Sequence, residues 1–130
     1  MLTQYLCPFC RIDPSKILAE NDHALALPDG FPVTEGHALI VPRRHIASFF
    51  ETTKEEKSAL FELVAKVREK LLEQHAPDGF NIGINDGGAA GQTVMHMHIH
   101  LIPRYAGDTE DPRGGVRWIM PEKAPYWKKR

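Results

Sequence analysis

Three histidines at alternate positions are the most chemically distinctive feature of this sequence. His96, His98 and His100 lie in the segment GQTVMHMHIHLIPR, separated by Met97 and Ile99. Near pH 7 the neutral imidazole is a nucleophile and a proton carrier, and it also binds metal ions. The spacing therefore predicts a catalytic or metal-binding surface.

A glycine-rich loop directly precedes the histidines. Residues 85–93, NDGGAAGQT, are mostly small, and their backbone N–H groups can close around an anion such as phosphate. Asn85, Gln92 and Thr93 add side-chain donors to this loop. The loop predicts a phosphate cradle that opens onto a nucleophile, and a simple turn between strands is the alternative.

The elements that position these residues follow from the hydrophobic pattern. Alternation over residues 92–103 predicts a strand with the histidines about 7 Å apart on one face. The other face would carry the apolar residues Met95, Met97, Ile99 and Leu101. Further strands are predicted in KILAEN (16–21), HALALPD (23–29), HALIVPRR (37–44) and FNIGIN (80–85).

One long amphipathic helix is predicted between the strands, from Lys54 to about His75. Thr53 and Glu56 have the spacing of a capping box at its start. Its apolar stripe consists of Leu60, Val64, Val67 and Leu71. Strands, one helix and then strands indicate an α+β fold, an antiparallel sheet with this helix packed on one face.

Composition limits the protein to a small set of classes. The chain has 130 residues, 42% of them hydrophobic, and a net charge of -1, which predicts one domain with no general attraction for nucleic acid. The N-terminus lacks the pattern of a signal peptide and no apolar run could span a membrane, so we expect a soluble cytoplasmic protein. We expect a catalytic domain at residues 1–106 and an irregular C-terminal arm at 107–130.

The C-terminal arm combines basic and aromatic residues. Residues 113–130 hold six Lys or Arg against Glu122 alone, interleaved with Trp118, Tyr126 and Trp127. Such an arm could close over a polyphosphate or stack on a base. Packing on the domain surface or on a partner subunit is the alternative.

The only two cysteines form a Cys-x-x-Cys pair, Cys7 and Cys10. Such a pair supplies two of the four ligands of a zinc site from one tight loop. A pair of free thiols or a redox couple are the alternatives, although RIDPSK does not supply the context of a thioredoxin-like motif.

The strand from Gln92 to Ile102 resembles the His-x-His-x-His-x-x signature of the histidine triad family of nucleotide hydrolases and transferases. An upstream segment, ALALPDGFPVTEGHALIVPRRHI, is similar to the family's other conserved region, and the long helix separates the two. The resemblance extends over residues 7–108. It implies the family's fold, binding of a purine nucleotide and a homodimer, with no organic cofactor.

The resemblance also implies roles for individual residues. His98 would attack the α-phosphate of a nucleotide and form a covalent nucleotidyl-histidine, while His100 would donate to a phosphate oxygen. Asp29 would accept the ribose hydroxyls, with Leu27 and Phe31 beside the base. The phosphate would be bound by residues of the glycine-rich loop: Asn85, Gly91, Gln92 and Thr93.

Among zinc-containing family members the ligand pattern resembles Cys7, Cys10, His45 and His96. His96 would then belong to the catalytic triad and also anchor the N-terminal loop as a ligand of a structural zinc. His37 would support a neighbouring strand or the site itself.

The segment Pro103-Arg104, followed by Gly107-Asp108, is most similar to the dinucleoside polyphosphate hydrolases, including the fragile histidine triad proteins. This implies cleavage of compounds such as diadenosine tri- or tetraphosphate. The alternatives are an adenosine phosphoramidase and a nucleotide-binding protein that is stabilised by zinc and has no catalytic activity.

Overall fold

The structure is a computed structural model that describes residues 6–129. Two parts of the sequence predictions lie outside the described residues. These are residues 1–5 of the N-terminal segment and Arg130 of the basic arm.

Five antiparallel strands form one sheet in the order β1-β2-β3-β5-β4. The strands are β1 (Ala19–Glu20), β2 (Ala24–Pro28), β3 (Ala38–Pro42), β4 (Gly79–Ile84) and β5 (Ile99–Arg104). Strand β5 pairs with β3 on one side and with β4 on the other. One long helix packs on this sheet, so the predicted α+β class is confirmed.

The helix α1 spans Lys54–His75, as the hydrophobic pattern predicts. Thr53 and Glu56 form the predicted capping box, in which each side chain accepts the other residue's backbone N–H. The chain leaves the helix through Ala76, whose φ of 51° is left-handed.

The core lies between α1 and one face of the sheet. The helix contributes Leu60, Leu63, Val67 and Leu71, whereas Val64 is only partly buried. The alternation of β5 sends Ile99 and Leu101 into this core, and His100 to the opposite face. The face opposite the helix is therefore where polar chemistry can be placed.

The strand predicted over residues 92–103 is shorter than expected, because β5 begins only at Ile99. The residues just before β5 form hydrogen bonds outside the pairing of the strands. Met97 N donates to the carbonyl of Ile46 at 2.7 Å, and His98 turns its ring back onto the carbonyl of His96. Met97 is fully buried in the core as predicted, whereas Met95 is only partly buried.

Residues 107–129 form turns and two short 3-10 helices, Gly115–Ile119 and Tyr126–Lys129. The first of these contacts β4. Gly115 approaches the strand so closely that an added Cβ would lie 3.1 Å from Nδ2 of Asn81. Ala124 is completely buried, so this segment packs on the domain.

Candidate active site and metal site

The three histidines of the motif point to different partners instead of sharing one strand face. His96 and His98 precede β5, and only His100 lies on it. His96 is fully buried and His98 is 8% exposed, whereas His100 is partly exposed. The rings of His98 and His100 remain neighbours, with centroids 5.2 Å apart.

The hydrogen-bond partner of His98 fixes its tautomer. Nδ1 of His98 lies 2.9 Å from the carbonyl oxygen of His96. Because a carbonyl oxygen only accepts, Nδ1 carries the hydrogen and Nε2 of the neutral ring keeps its lone pair. A lone pair on a held imidazole ring is what nucleophilic catalysis requires.

His100 is oriented by a chain of contacts through His37. The backbone N–H of Val33 donates to Nδ1 of His37 at 3.1 Å, so Nε2 of His37 carries the hydrogen. That Nε2 lies 3.0 Å from Nδ1 of His100 and 3.3 Å from Oδ2 of Asp29. Since Nδ1 of His100 accepts in this contact, its Nε2 carries a hydrogen and can donate to a ligand.

The surroundings keep the rings of His37 and His100 neutral at pH 7. Burial lowers the pKa of His37, with Asp29 opposing the shift. Burial also lowers the pKa of His100, and the adjacent His98 and His37 lower it further. Neutral rings are the condition under which one nitrogen of each imidazole donates and the other accepts.

Hairpin register brings Asp29 to this cluster. Pro28 of β2 pairs with Ala38 of β3, and just beyond this pair Asp29 N donates to the carbonyl of His37 at 3.0 Å. Oδ1 of Asp29 accepts the N–H of Phe31, which leaves Oδ2 facing the histidines. Leu27 is partly buried on β2, whereas Phe31 is 90% exposed.

The glycine-rich loop is braced from inside by Gln92, which is 5% exposed. Its Oε1 accepts the N–H of Gly87 at 2.8 Å, and its Nε2 donates to the carbonyls of Ala47 and Val94. Gly87 and Gly91 both have φ of 96°, which side chains rarely adopt. The predicted phosphate donors Asn85 and Thr93 are exposed on this loop, as is Gly91.

Asp86 is a residue of this loop that the sequence reasoning missed. Its carboxylate accepts from the hydroxyl of Ser48 and from the backbone N–H of Phe49 at 2.7 Å. These bonds tie the loop to the short 3-10 helix Phe49–Glu51. An Asp before two glycines predicts a turn, and its distant partner has no signature in the sequence.

The four residues of the expected metal site lie together: Cys7, Cys10, His45 and His96. Nδ1 of His96 is 3.5 Å from each of the two sulfur atoms. Nδ1 of His45 is 3.2 Å from the sulfur of Cys10 and 3.3 Å from Nδ1 of His96. Ligands at the corners of a zinc tetrahedron lie about 3.6 Å apart for a nitrogen and a sulfur, and about 3.3 Å apart for two nitrogens.

The chemistry of these donors also fits a cation. Nε2 of His96 donates to the carbonyl of Pro42 at 2.8 Å, which leaves the lone pair of Nδ1 facing the two sulfur atoms. Burial and the adjacent Cys7 raise the pKa of the Cys10 thiol to about 11. Two neighbouring thiolates therefore need a compensating positive charge, and a bound divalent metal supplies it.

Phe9 connects this cluster to the candidate nucleophile and was not anticipated from the sequence. It lies between the two cysteines, with its ring edge-on to the rings of His96 and His98. The centroid distances are 5.8 Å and 5.1 Å. An aromatic residue inside a Cys-x-x-Cys loop is the only sequence feature that could have indicated this contact.

Within residues 6–129, no helix is long and apolar enough to span a membrane.

Comparison with known proteins places this site in a family. A family model described as the HIT domain matches residues 11–107. "Protein hit" of Bacillus subtilis is 40% identical over 103 residues, which cover 76% of this chain and 71% of that protein. The "Bifunctional bis(5'-adenosyl)-triphosphatase/adenylylsulfatase FHIT" of Arabidopsis thaliana is 37% identical over 77% of this chain and 56% of its own length.

Solved structures give the same result. A Zn-bound histidine triad family protein from Mycobacterium smegmatis superposes with a TM-score of 0.74 at 33% identity. The match covers 84% of this chain and 82% of that one. The sequence motif, the fold and these relatives agree, and the chain belongs to the histidine triad (HIT) domain family.

Proposed function

We propose that this protein is a nucleotide hydrolase that cleaves compounds of the form AMP–X at the α-phosphate. The observation that carries the proposal is the bond from Nδ1 of His98 to the carbonyl of His96, which holds the ring and leaves the lone pair of Nε2 available as the nucleophile. The name of the Arabidopsis relative, a triphosphatase and adenylylsulfatase acting on adenosyl compounds, supports the same class of substrate.

The reaction proceeds in two displacements at phosphorus. Nε2 of His98 forms a bond to the α-phosphorus, and the bond from phosphorus to X breaks with its electron pair leaving on X. Water then attacks the nucleotidyl-histidine, releases AMP, returns the electron pair to Nε2 and gives up its proton to solvent or to the leaving group. Splitting the hydrolysis in this way replaces one difficult step by two easier ones.

His100 stabilises the charge that develops on the phosphate. The chain from Val33 through His37 presents Nε2–H of His100 as a donor, suited to a non-bridging oxygen. The side chains of Asn85 and Thr93, which are exposed on the glycine-rich loop, donate to the remaining oxygens. Asp29 accepts the ribose hydroxyls, and Leu27 lies beside the base.

A structural zinc ion held by Cys7, Cys10, His45 and His96 completes the proposal. The donor distances match a tetrahedral site, and a relative of similar structure is Zn-bound. Bound there, the metal fixes the N-terminal loop to the residues preceding β5. His96 thereby supports His98 through its backbone carbonyl and takes no part in bond breaking.

The test is intact-protein mass after brief incubation with diadenosine tri- and tetraphosphate, adenosine phosphoramidate and adenosine phosphosulfate, with products separated by chromatography. We expect an adduct of one adenylyl group and released AMP. His98→Ala should abolish both while AMP still binds, and His98→Asn provides a check with a more similar side chain. Absence of adduct and AMP with every substrate would leave a nucleotide-binding protein, and preference for the phosphoramidate would indicate a phosphoramidase.

A further inference from the structure

The two sulfur atoms of the N-terminal loop are close together and differ in their access to solvent. The ligand atoms of Cys7, Cys10, His45 and His96 all lie within 4.8 Å of one another, so the two sulfurs are near neighbours. Cys7 is 2% exposed, whereas Cys10 is partly exposed. A dissolved reagent therefore meets Cys10 before it meets Cys7.

The backbone of this loop permits a covalent bond between the two sulfur atoms. The carbonyl of Cys7 accepts the N–H of Cys10 at 3.2 Å, which is the hydrogen bond of a four-residue turn. The Cα atoms at the two ends of such a turn lie less than about 7 Å apart. A disulfide needs about 4.4–6.8 Å between its Cα atoms, so it can form here without unfolding of the loop.

Both sulfur atoms face the nitrogen donors of the proposed metal site. The sulfur of Cys10 is 3.2 Å from Nδ1 of His45, and both sulfurs are 3.5 Å from Nδ1 of His96. A cysteine binds a metal as the thiolate, and the uncharged sulfurs of a disulfide are no longer thiolates. A disulfide would therefore leave two imidazoles in place of the four ligands that a structural zinc site requires.

Phe9 connects the sulfur pair to the candidate nucleophile. It lies between the two cysteines in the sequence, and its ring is edge-on to the ring of His98 at 5.1 Å. Two sulfurs bound to one zinc ion lie about 3.8 Å apart, whereas the sulfurs of a disulfide lie about 2.0 Å apart. Because this difference must be closed within a short loop, formation of the disulfide shifts the loop that carries Phe9.

We propose that Cys10 and Cys7 form a site of reversible oxidation by hydroperoxides, at which a disulfide replaces the thiolate pair and the metal is released. The sulfur of Cys10 attacks one oxygen of hydrogen peroxide, the O–O bond breaks, and hydroxide leaves, so that Cys10 becomes a sulfenic acid. The sulfur of Cys7 then attacks the sulfur of Cys10, and the S–O bond breaks to release a second hydroxide. The two sulfurs together lose the two electrons that the peroxide gains.

Other parts of the proposal depend on the function proposed above. Release of metal rests on the proposed zinc site, and an effect on His98 rests on the proposed hydrolase. The oxidation itself requires only the two sulfur atoms and the peroxide. Measurements on the thiols therefore remain decisive where either of the other two proposals fails.

The test treats zinc-loaded wild-type protein with hydrogen peroxide and measures released zinc with a chromogenic chelator, free thiols with a colorimetric reagent, and intact mass. We expect one zinc ion to be released for every two thiols lost, with a disulfide between Cys7 and Cys10 in the peptide map. A dithiol and fresh zinc should restore thiols and metal, whereas methionine sulfoxide needs a dedicated reductase. The rate of adenylyl adduct formation should fall at least about twofold on oxidation and recover on reduction, because the aromatic contact with His98 is lost.

Two matched variants test the order of attack. In Cys7→Ser the sulfenic acid on Cys10 has no second thiol to react with, so a reagent specific for sulfenic acids should label it. In Cys10→Ser the buried Cys7 should be labelled at least about tenfold more slowly. If circular dichroism shows that either variant is unfolded, limited alkylation of the wild type gives the order instead, and Cys10 should react before Cys7.

Loss of both thiols without release of zinc would overturn the inference. Thiols that stay intact while the methionines are oxidised, or cysteine products that a dithiol does not reduce, would also overturn it. If the wild type binds no zinc, the zinc proposal and the release of metal fail together, and formation of the disulfide alone decides the oxidation site. If no adenylyl adduct forms before oxidation, the hydrolase proposal fails, and zinc release with loss of thiols still decides the oxidation site.

Discussion

The ring of Phe9 stands edge-on to the ring of His98, with 5.1 Å between centroids and 61° between planes. Phe9 lies between Cys7 and Cys10 in the sequence, so the loop that supplies two proposed zinc ligands also packs against the proposed nucleophile. The backbone provides a second link, because the carbonyl of His96 accepts from Nδ1 of His98. The metal site and the nucleophile thus share their support.

Truncation of Phe9 should therefore affect catalysis without removing the metal. An aromatic pair contributes about 0.5–1.5 kcal/mol, so Phe9→Ala should lower kcat roughly 2- to 10-fold if the contact positions the ring in the transition state. Phe9→Leu keeps an apolar side chain and should recover part of the rate. The measurement is kcat together with zinc content by atomic spectroscopy.

Phe61→Ala serves as the control for Phe9, since Phe61 lies on α1 and is 53% exposed. It should leave kcat unchanged. An unchanged kcat in Phe9→Ala, or a loss of zinc in that variant, would contradict a positioning role.

Removal of one metal ligand should unload the site and destabilise the fold. We expect one zinc per chain in the wild type, less than a tenth of that in Cys10→Ser, and a Tm lowered by on the order of 10 °C, because zinc binding adds to folding free energy. His23→Ala removes an exposed histidine outside the cluster and should change neither quantity. Full zinc occupancy in Cys10→Ser would rule out the four-ligand site.

Gln92 should contribute more to stability than its exposed neighbour Thr93. Gln92→Ala removes three hydrogen bonds and leaves the N–H of Gly87 without its partner, which should cost about 1–3 kcal/mol of unfolding free energy. Thr93→Ala should leave stability within about 0.5 kcal/mol and lower activity alone, if Thr93 contacts phosphate. Urea unfolding of both variants measures these free energies. Equal stabilities of Gln92→Ala and Thr93→Ala would contradict the stabilising role of Gln92.

Local pattern predicts the elements of this fold well where one signal dominates. The helix follows from its apolar stripe and from the Thr53 and Glu56 capping box, both of which act within a few residues. The start of β5 could not be predicted, because residues 92–98 alternate like a strand but bond to distant groups such as the carbonyl of Ile46. The alternation of apolar and polar residues indicates which side chains are buried, but it does not indicate where the hydrogen bonds between strands begin.

The same distinction between local pattern and distant contacts applies to the candidate site. The motif selects His96, His98 and His100 by type and spacing. His98 bonds locally to the carbonyl of His96, yet the partners of the other two rings depend on tertiary contacts. The contact between His37 and His100 depends on the register of β3 against β5, in which Leu39 pairs with His100. A single sequence does not specify the register between two strands that lie about 60 residues apart in the chain.

Stability should fall as the solution is acidified from pH 7 to pH 5, in part because of His100. Burial and two neighbouring imidazoles lower the pKa of His100 in the folded protein, whereas an unfolded histidine titrates near about 6.5. Between these two values the unfolded chain binds a proton that the folded chain refuses, so the free energy of unfolding decreases with decreasing pH. Below the folded pKa both states are protonated and the dependence of stability on pH ends.

Denaturant unfolding of His100→Asn at constant excess zinc should show a shallower pH dependence of the unfolding free energy than the wild type. His23→Asn, which removes an exposed ring, should retain the wild-type slope. Equal slopes for His100→Asn and the wild type would mean that His100 is not held neutral by its surroundings, and the donor role assigned to its Nε2 would lose its electrostatic basis.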